Sequence, residues 1–160
     1  MEKEKIFSSL GILPKEEMLE VKPNFKHLEI GILKESSFQE NRVSLTPESV
    51  GLLVEHGHTI TIEKGAGTAS NFSDNQYAQK GARIAFSKDE VLKSKFILKI
   101  EPPTATELDL MQNGQVLISA VQMSTQSTDF FKTLNKKNIS AFGFEFIKDN
   151  QNKLPIVRSM

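Results

Sequence analysis

The chain has 160 residues, enough for one domain with a real hydrophobic core, and its 20 basic and 20 acidic side chains cancel. Lys34, Arg42, Lys64, Arg83, Lys99 and Arg158 are scattered along the chain, which excludes the basic patch that nucleic acid or an anionic membrane surface requires. The absence of Cys excludes disulfides, thiol nucleophiles and thiolate-bound metals, and no apolar run approaches the roughly 20 residues that span a bilayer, so a soluble cytoplasmic protein is expected.

Residues 1–28 mix charges of both signs with modest apolar runs, and Pro14 and Pro23 interrupt any regular element. They read as an N-terminal arm with one short helix near 15–20. From Glu29 the pattern changes to alternating segments. Strand-like runs are predicted at 29–33, 59–63, 83–86, 96–100, 116–120 and 139–144, with helices at 47–56, 74–80, 88–94, 105–111 and 127–137 between them. The first helix has the plainest signals: Thr46 suits the N-cap, Pro47 the first turn, Val50, Leu53 and Val54 share a face, and Gly57 stands where the helix should stop. Ser73 with Asp74, and Ser87, offer further caps, while Gly81 and Gly114 each separate a helix from a strand. Repeated strand, helix, strand implies right-handed crossovers and a mostly parallel sheet. The predicted fold class is one doubly wound α/β domain, flavodoxin- or Rossmann-like, with helices on both faces, spanning 29–160. The run Leu154-Pro155-Ile156-Val157 followed by Arg158-Ser159-Met160 reads as the cap of a helix still to come, as in a segment of a longer protein.

Candidate sites follow from the edges of that sheet. Arg42 lies in the loop after the first strand, at the carboxyl edge where open α/β sheets bind small molecules. Its guanidinium either grips a carboxylate or phosphate through two parallel hydrogen bonds or is an ordinary solvated loop arginine. Gly65-Ala66-Gly67 suggests a dinucleotide fingerprint but lacks the third glycine and a helix starting at once, so a tight turn is the expectation. His56 and His58 flank Gly57 at the opposite edge and read as helix-end histidines; His27 lies in the arm. Lys99 and Glu101 end the fourth major strand on one side of it, as a binding pair or as plain rim, and Pro102 stops the ladder. Gln122 follows the fifth strand at the same edge, facing a ligand or water. Phe142, Phe144 and Phe146 alternate in the last strand and so should share one face, in a core or a subunit interface. No set of metal ligands is evident.

In order along the chain, Gly31-Ile32-Leu33-Lys34-Glu35, Glu40-Asn41-Arg42-Val43 with Leu45-Thr46-Pro47, Gly57-His58, Glu63-Lys64-Gly65-Ala66-Gly67, Phe72-Ser73-Asp74 with Tyr77, Gly81-Ala82, Leu98-Lys99-Ile100 with Pro103, Gly114-Gln115-Val116-Leu117 and Leu154-Pro155 form one series. In these residues the chain from about Glu29 resembles the N-terminal domain shared by alanine dehydrogenases and the α subunit of proton-translocating nicotinamide nucleotide transhydrogenases.

The resemblance implies a two-domain parent in which this segment is the substrate domain, ending before an inserted domain that binds NAD or NADP. It implies hydride transfer between that cofactor and a small amino or keto acid, with no cofactor site in this segment alone. It also implies a homo-oligomer and a carboxylate held by the arginine at Arg42. The family's substrate lysine falls on Glu101, with Lys99 matching an earlier lysine, and its acid/base histidine falls on Gln122 or its neighbours Val121 and Met123. Glutamate repels a carboxylate, by several kcal/mol relative to lysine at about 4 Å and an effective dielectric near 20. Glutamine shuttles no proton near neutral pH. The resemblance therefore leaves three expectations: a dehydrogenase altered from alanine, with Glu101 free to pair with a substrate ammonium; a transhydrogenase-type domain; or a non-catalytic carboxylate-binding module.

Overall fold

The computed structural model describes residues 27–159, so the helix expected near 15–20 and nearly all of the N-terminal arm lie outside the described residues. Short apolar strands alternate with capped helices. In chain order they are β1 (Glu29–Ile32), α1 (Pro47–Glu55), β2 (Thr59–Glu63), a 3-10 turn (Thr68–Ser70), α2 (Asp74–Gln79), β3 (Arg83–Ala85) and α3 (Lys88–Val91). Next come β4 (Phe96–Leu98), α4 (Ala105–Leu110), β5 (Val116–Ser119), α5 (Thr128–Lys136), β6 (Ser140–Gly143), a 3-10 turn (Phe144–Phe146) and α6 (Pro155–Ser159).

All strand pairs are parallel, in the order β3-β2-β1-β4-β5-β6. This is the dinucleotide-fold order, in which the chain leaves β1 in one direction and β4 in the other, opening a crevice between their carboxyl ends. Alternation of side chains across each strand builds two cores. Ile30, Ile32, Ile60 and Ile62 meet Val50 of α1 and Tyr77 of α2 on one face. Ile97 and Leu117 meet Val91 of α3, Leu108 of α4 and Phe130 and Leu134 of α5 on the other. Gly31 is required where α3 crosses β1, because a Cβ there would lie 2.6 Å from the Val91 carbonyl oxygen.

The helix starts are chemically specified. Thr46, Ser73, Ser87, Thr104 and Ser127 each accept a backbone N–H of the first turn, and Ser73 with Gln76 and Thr104 with Glu107 form reciprocal capping boxes. Among the described residues no helix is long and apolar enough to cross a membrane.

Two expectations are corrected. The phenylalanine alternation does not persist, since β6 ends at Gly143 and Phe144–Phe146 coils into a 3-10 turn. Phe144 is consequently buried, while Phe142 and Phe146 are exposed. The closing residues do not precede a helix; Pro155 already starts α6, as its fixed φ favours at a first turn.

The crowding at Gly31 gives a direct test. Gly31→Ala is expected to cost about 1–3 kcal/mol of unfolding free energy, since the backbone of α3 must shift. Urea denaturation showing unchanged stability would contradict the close approach of α3 to β1.

Candidate functional site

The loop that leaves β1 reaches α1 through Thr46, whose Oγ1 accepts the Ser49 N–H at 3.3 Å. Two bonds pin that loop to its neighbours. The Tyr77 hydroxyl donates to the Leu45 carbonyl at 2.8 Å, and Ser70 Oγ donates to the Asn41 carbonyl at 2.5 Å. Burial, with a smaller contribution from Glu48, pushes the Tyr77 hydroxyl up to about 12, so it remains a donor.

Within this loop Arg42 is held in one orientation by Glu40. Its Nε donates to Glu40 Oε1 at 2.8 Å and its Nη2 to Oε2 at 2.5 Å. The Arg42 backbone N–H also donates to Oε1, at 2.9 Å. Glu40 is nearly covered, at 7% side-chain exposure, whereas Arg42 is 46% exposed. The hydrogen bond from Arg42 holds the Glu40 carboxyl below its usual range, and Glu40 in turn raises the guanidinium, which also feels Glu101 and Glu35. A guanidinium has five N–H groups, so both Nη1 hydrogens and one Nη2 hydrogen remain for a ligand.

Arg42 lines a cleft of about 480 Å³ at the carboxyl edge. Ser44, Thr46 and Ser70 add polar lining beside it, and the Ser44 Oγ is buried without a hydrogen-bond partner. The rest of the wall is apolar, with Leu98 of β4, Ile118 of β5, Phe72, and Phe144, Ile147 and Ile156 from the segment that follows β6.

Lys99 also borders this cleft, but its side chain is fully buried in an ion network. Its Nζ lies 3.2 Å from Glu107 Oε2 and 3.5 Å from Glu35 Oε2. Glu107 is bound as well by Lys88 Nζ at 2.6 Å and by the Thr104 N–H at 2.9 Å. Burial pushes the Glu107 carboxyl up, but Lys88, Thr104 and Lys99 together hold it below the usual range. At Glu35 burial prevails and the carboxyl is raised, although it accepts the Ile100 N–H at 2.6 Å and the Glu101 N–H at 3.4 Å.

Lys99 and Glu101 have different partners: Lys99 is enclosed by Glu35 and Glu107, and Glu101 lies outside that network. There Gln122 Nε2 donates to Glu101 Oε2 at 2.8 Å, so the residues at the two departures from the family pattern bind each other. Gln122 has a left-handed backbone, φ 48°, held because Glu145 Oε1 accepts the N–H groups of both Val121 and Gln122 at 2.8 Å. The histidines lie at the opposite edge, where His27 Nδ1 bonds the Gly57 carbonyl and His58 Nδ1 accepts the Leu28 N–H. His56 Nδ1 bonds the Leu52 carbonyl at the end of α1.

A nicotinamide dinucleotide, the cofactor implied by the family pattern, does not fit the one glycine turn that invited it. The Gly65 N–H that would meet a phosphate donates to Asp74 Oδ1 at 2.8 Å, and that carboxylate repels an anion. Gly67 is small because a Cβ there would lie 2.6 Å from the Tyr77 ring.

The fold places the chain among the doubly wound α/β domains, with its cleft at the carboxyl edge where the strand order reverses. Comparison with known proteins narrows this class. The family alanine dehydrogenase/PNT, N-terminal domain, matches residues 31–160. The chain is 33% identical over 132 residues to an alanine dehydrogenase of Methanococcus maripaludis, covering 82% of this chain and 35% of that protein. It is 30% identical over 131 residues to that of Bacillus subtilis, covering 82% and 34%. Among solved structures, an L-alanine dehydrogenase superposes with TM-score 0.77 at 34% identity, covering 81% of this chain and 36% of that one. A transhydrogenase from Sinorhizobium meliloti superposes with TM-score 0.70 at 27% identity, covering 76% and 36%. The chain belongs to the alanine dehydrogenase/PNT N-terminal domain family, and it spans about a third of the length of these relatives.

Glu40, Glu35, Ser44 and Glu107 are site residues that had no role in the sequence reading. Only Glu107 carries a local signal, as the third helical residue of the capping box that begins at Thr104.

Removing Glu107 leaves Lys99 buried beside Glu35 alone. Glu107→Ala is expected to cost about 3–5 kcal/mol at neutral pH. Because the folded-state pKa of Glu107 is lowered, its contribution is present above the ordinary carboxylate range and is lost as pH falls through the lowered value. The gap between wild type and variant in urea unfolding should therefore shrink on acidification; a gap that widens would refute the assignment.

Proposed function

We propose that the chain is the substrate-binding domain of a nicotinamide-dependent oxidoreductase acting on an amino or keto acid, with Arg42 as the carboxylate anchor. The observation that carries this reading is the Arg42 guanidinium, oriented by a nearly covered Glu40 and presented to the edge cleft. A guanidinium fixed by one carboxylate loses little freedom on meeting a second, and its remaining N–H groups match the spacing of two carboxylate oxygens. NAD or NADP would be held mainly by a domain beyond this chain, and its nicotinamide would supply or accept the hydride. The site's own residues orient the acid and exclude water from its apolar end.

A second reading rests on Glu101. Gln122 holds one of its carboxylate oxygens, and the other has no partner among the described residues. With no lysine or histidine at those two places, Glu101 meets a substrate ammonium rather than a carboxylate. The transhydrogenase-type domain and the non-catalytic binding module both accommodate the same pair, because neither needs a proton shuttle there.

Arg42→Gln is expected to weaken pyruvate binding by about 2 kcal/mol, read from amide shifts of the isotopically labelled chain. Calorimetry of the same chain with NADH should give no binding in the micromolar range. Pyruvate shifts that survive the substitution would refute the anchor, and micromolar NADH binding would refute the two-domain account.

A further inference from the structure

The cleft beside Arg42, open to solvent and about 480 Å³ in volume, is polar at one end and apolar at the other. Its polar lining is confined to Arg42, Ser44 and Thr46 of the loop after β1, together with Ser70, which is tied to that loop. Beyond them the wall consists of hydrocarbon from β4, β5 and the segment after β6, with Leu98, Ile118, Phe144, Ile147 and Ile156 facing the cavity. The ammonium that borders it, on Lys99, has no exposed side-chain surface and is neutralised by Glu107 and Glu35. A second anionic group on a ligand thus meets no free cation on that wall. One charged end and one apolar body is the chemistry that remains.

We propose that the cleft takes a monocarboxylate with an apolar body larger than a methyl group, a branched-chain or aromatic 2-oxo or 2-amino acid. Arg42 fixes the carboxylate and the hydrocarbon wall selects the side chain. This inference rests on the reading of Arg42 as carboxylate anchor and deepens it by naming the substrate class.

The test titrates the labelled chain with pyruvate, 2-oxobutanoate, 4-methyl-2-oxopentanoate and phenylpyruvate, with the neutral 4-methylpentanamide alongside, following backbone amides around the cleft. Each buried methylene should tighten binding about fourfold, so 4-methyl-2-oxopentanoate should bind at least about tenfold more tightly than pyruvate. Ile147→Asn, at a partly exposed position, and Ile118→Thr, which keeps a β-branched side chain in the strand, should each remove most of that gain, bringing the ratio of 4-methyl-2-oxopentanoate to pyruvate affinity close to one. Arg42→Gln should weaken every acid by a similar factor and leave the amide unchanged. Equal affinity across the acids, or a gain that survives both wall substitutions, overturns the substrate class while the carboxylate anchor stands. Acids that bind equally well to the Arg42→Gln chain, or no acid binding at all, overturn the anchor and with it the inference.

Discussion

The carboxyl edge of the sheet is organised by one buried cation. Lys99 sits at the end of β4 with no exposed side-chain surface, and Glu107 of α4 and Glu35 of the β1 exit close on it. Burying an ammonium is tolerated only when paired and hydrogen-bonded charges replace its water. That condition ties four segments together, since Glu107 also binds Lys88 of α3 and caps α4, and Glu35 takes the N–H groups of Ile100 and Glu101. The two strands that flank the crevice are therefore joined by charge where their hydrogen-bonded ladder ends. Loops on either side inherit a fixed starting point.

On that base Arg42 and Glu101 take different roles. Arg42 is steered by Glu40 inside its own loop, and the loop is pinned by Tyr77 and Ser70 to the next crossover. Glu101 is steered by Gln122 from the neighbouring strand, whose left-handed backbone is held by Glu145. The cleft thus sets one oriented cation, Arg42, against a hydrocarbon wall, with Glu101 and Gln122 outside its lining. Relatives that share the fold need not share Arg42 or Glu101, because neither side chain belongs to the two hydrophobic cores.

The strands and helix starts were largely legible in the sequence. Continuous apolar runs mark strands buried on both faces, and Thr46, Ser73 and Ser87 announce helices through caps that act within a few residues. The glycine turn was also legible, since two glycines without an immediate helix form a turn, and Gly67 proves to be confined by Tyr77. Phe142, Phe144 and Phe146 misled because a period of two identifies a strand face only while the ladder continues. With no partner strand beyond β6 among the described residues, the chain coils after Gly143 and turns one phenylalanine inward. Lys99 and Glu101 misled in a similar way: two residues apart on an ideal strand they share a side, but the strand ends at Leu98.

By itself, then, the sequence determined the class of fold, the order of elements, the placement of Arg42 at the carboxyl edge and the family. All of these depend on local periodicity, caps and short motifs, which act over a few residues. The tertiary structure alone decided that Glu40 orients Arg42, that Lys99 is enclosed by Glu35 and Glu107, and that Glu101 and Gln122 bind each other. It also decided that the cleft is walled with hydrocarbon. The reason is physical: apart from Glu40 and Glu107, which lie close in sequence to the residues they bind, those partners come from different strand exits, and only the parallel order of the sheet brings those exits to one edge. Whether a charged side chain is buried, paired or open to a ligand depends on that convergence, which no spacing along the chain encodes.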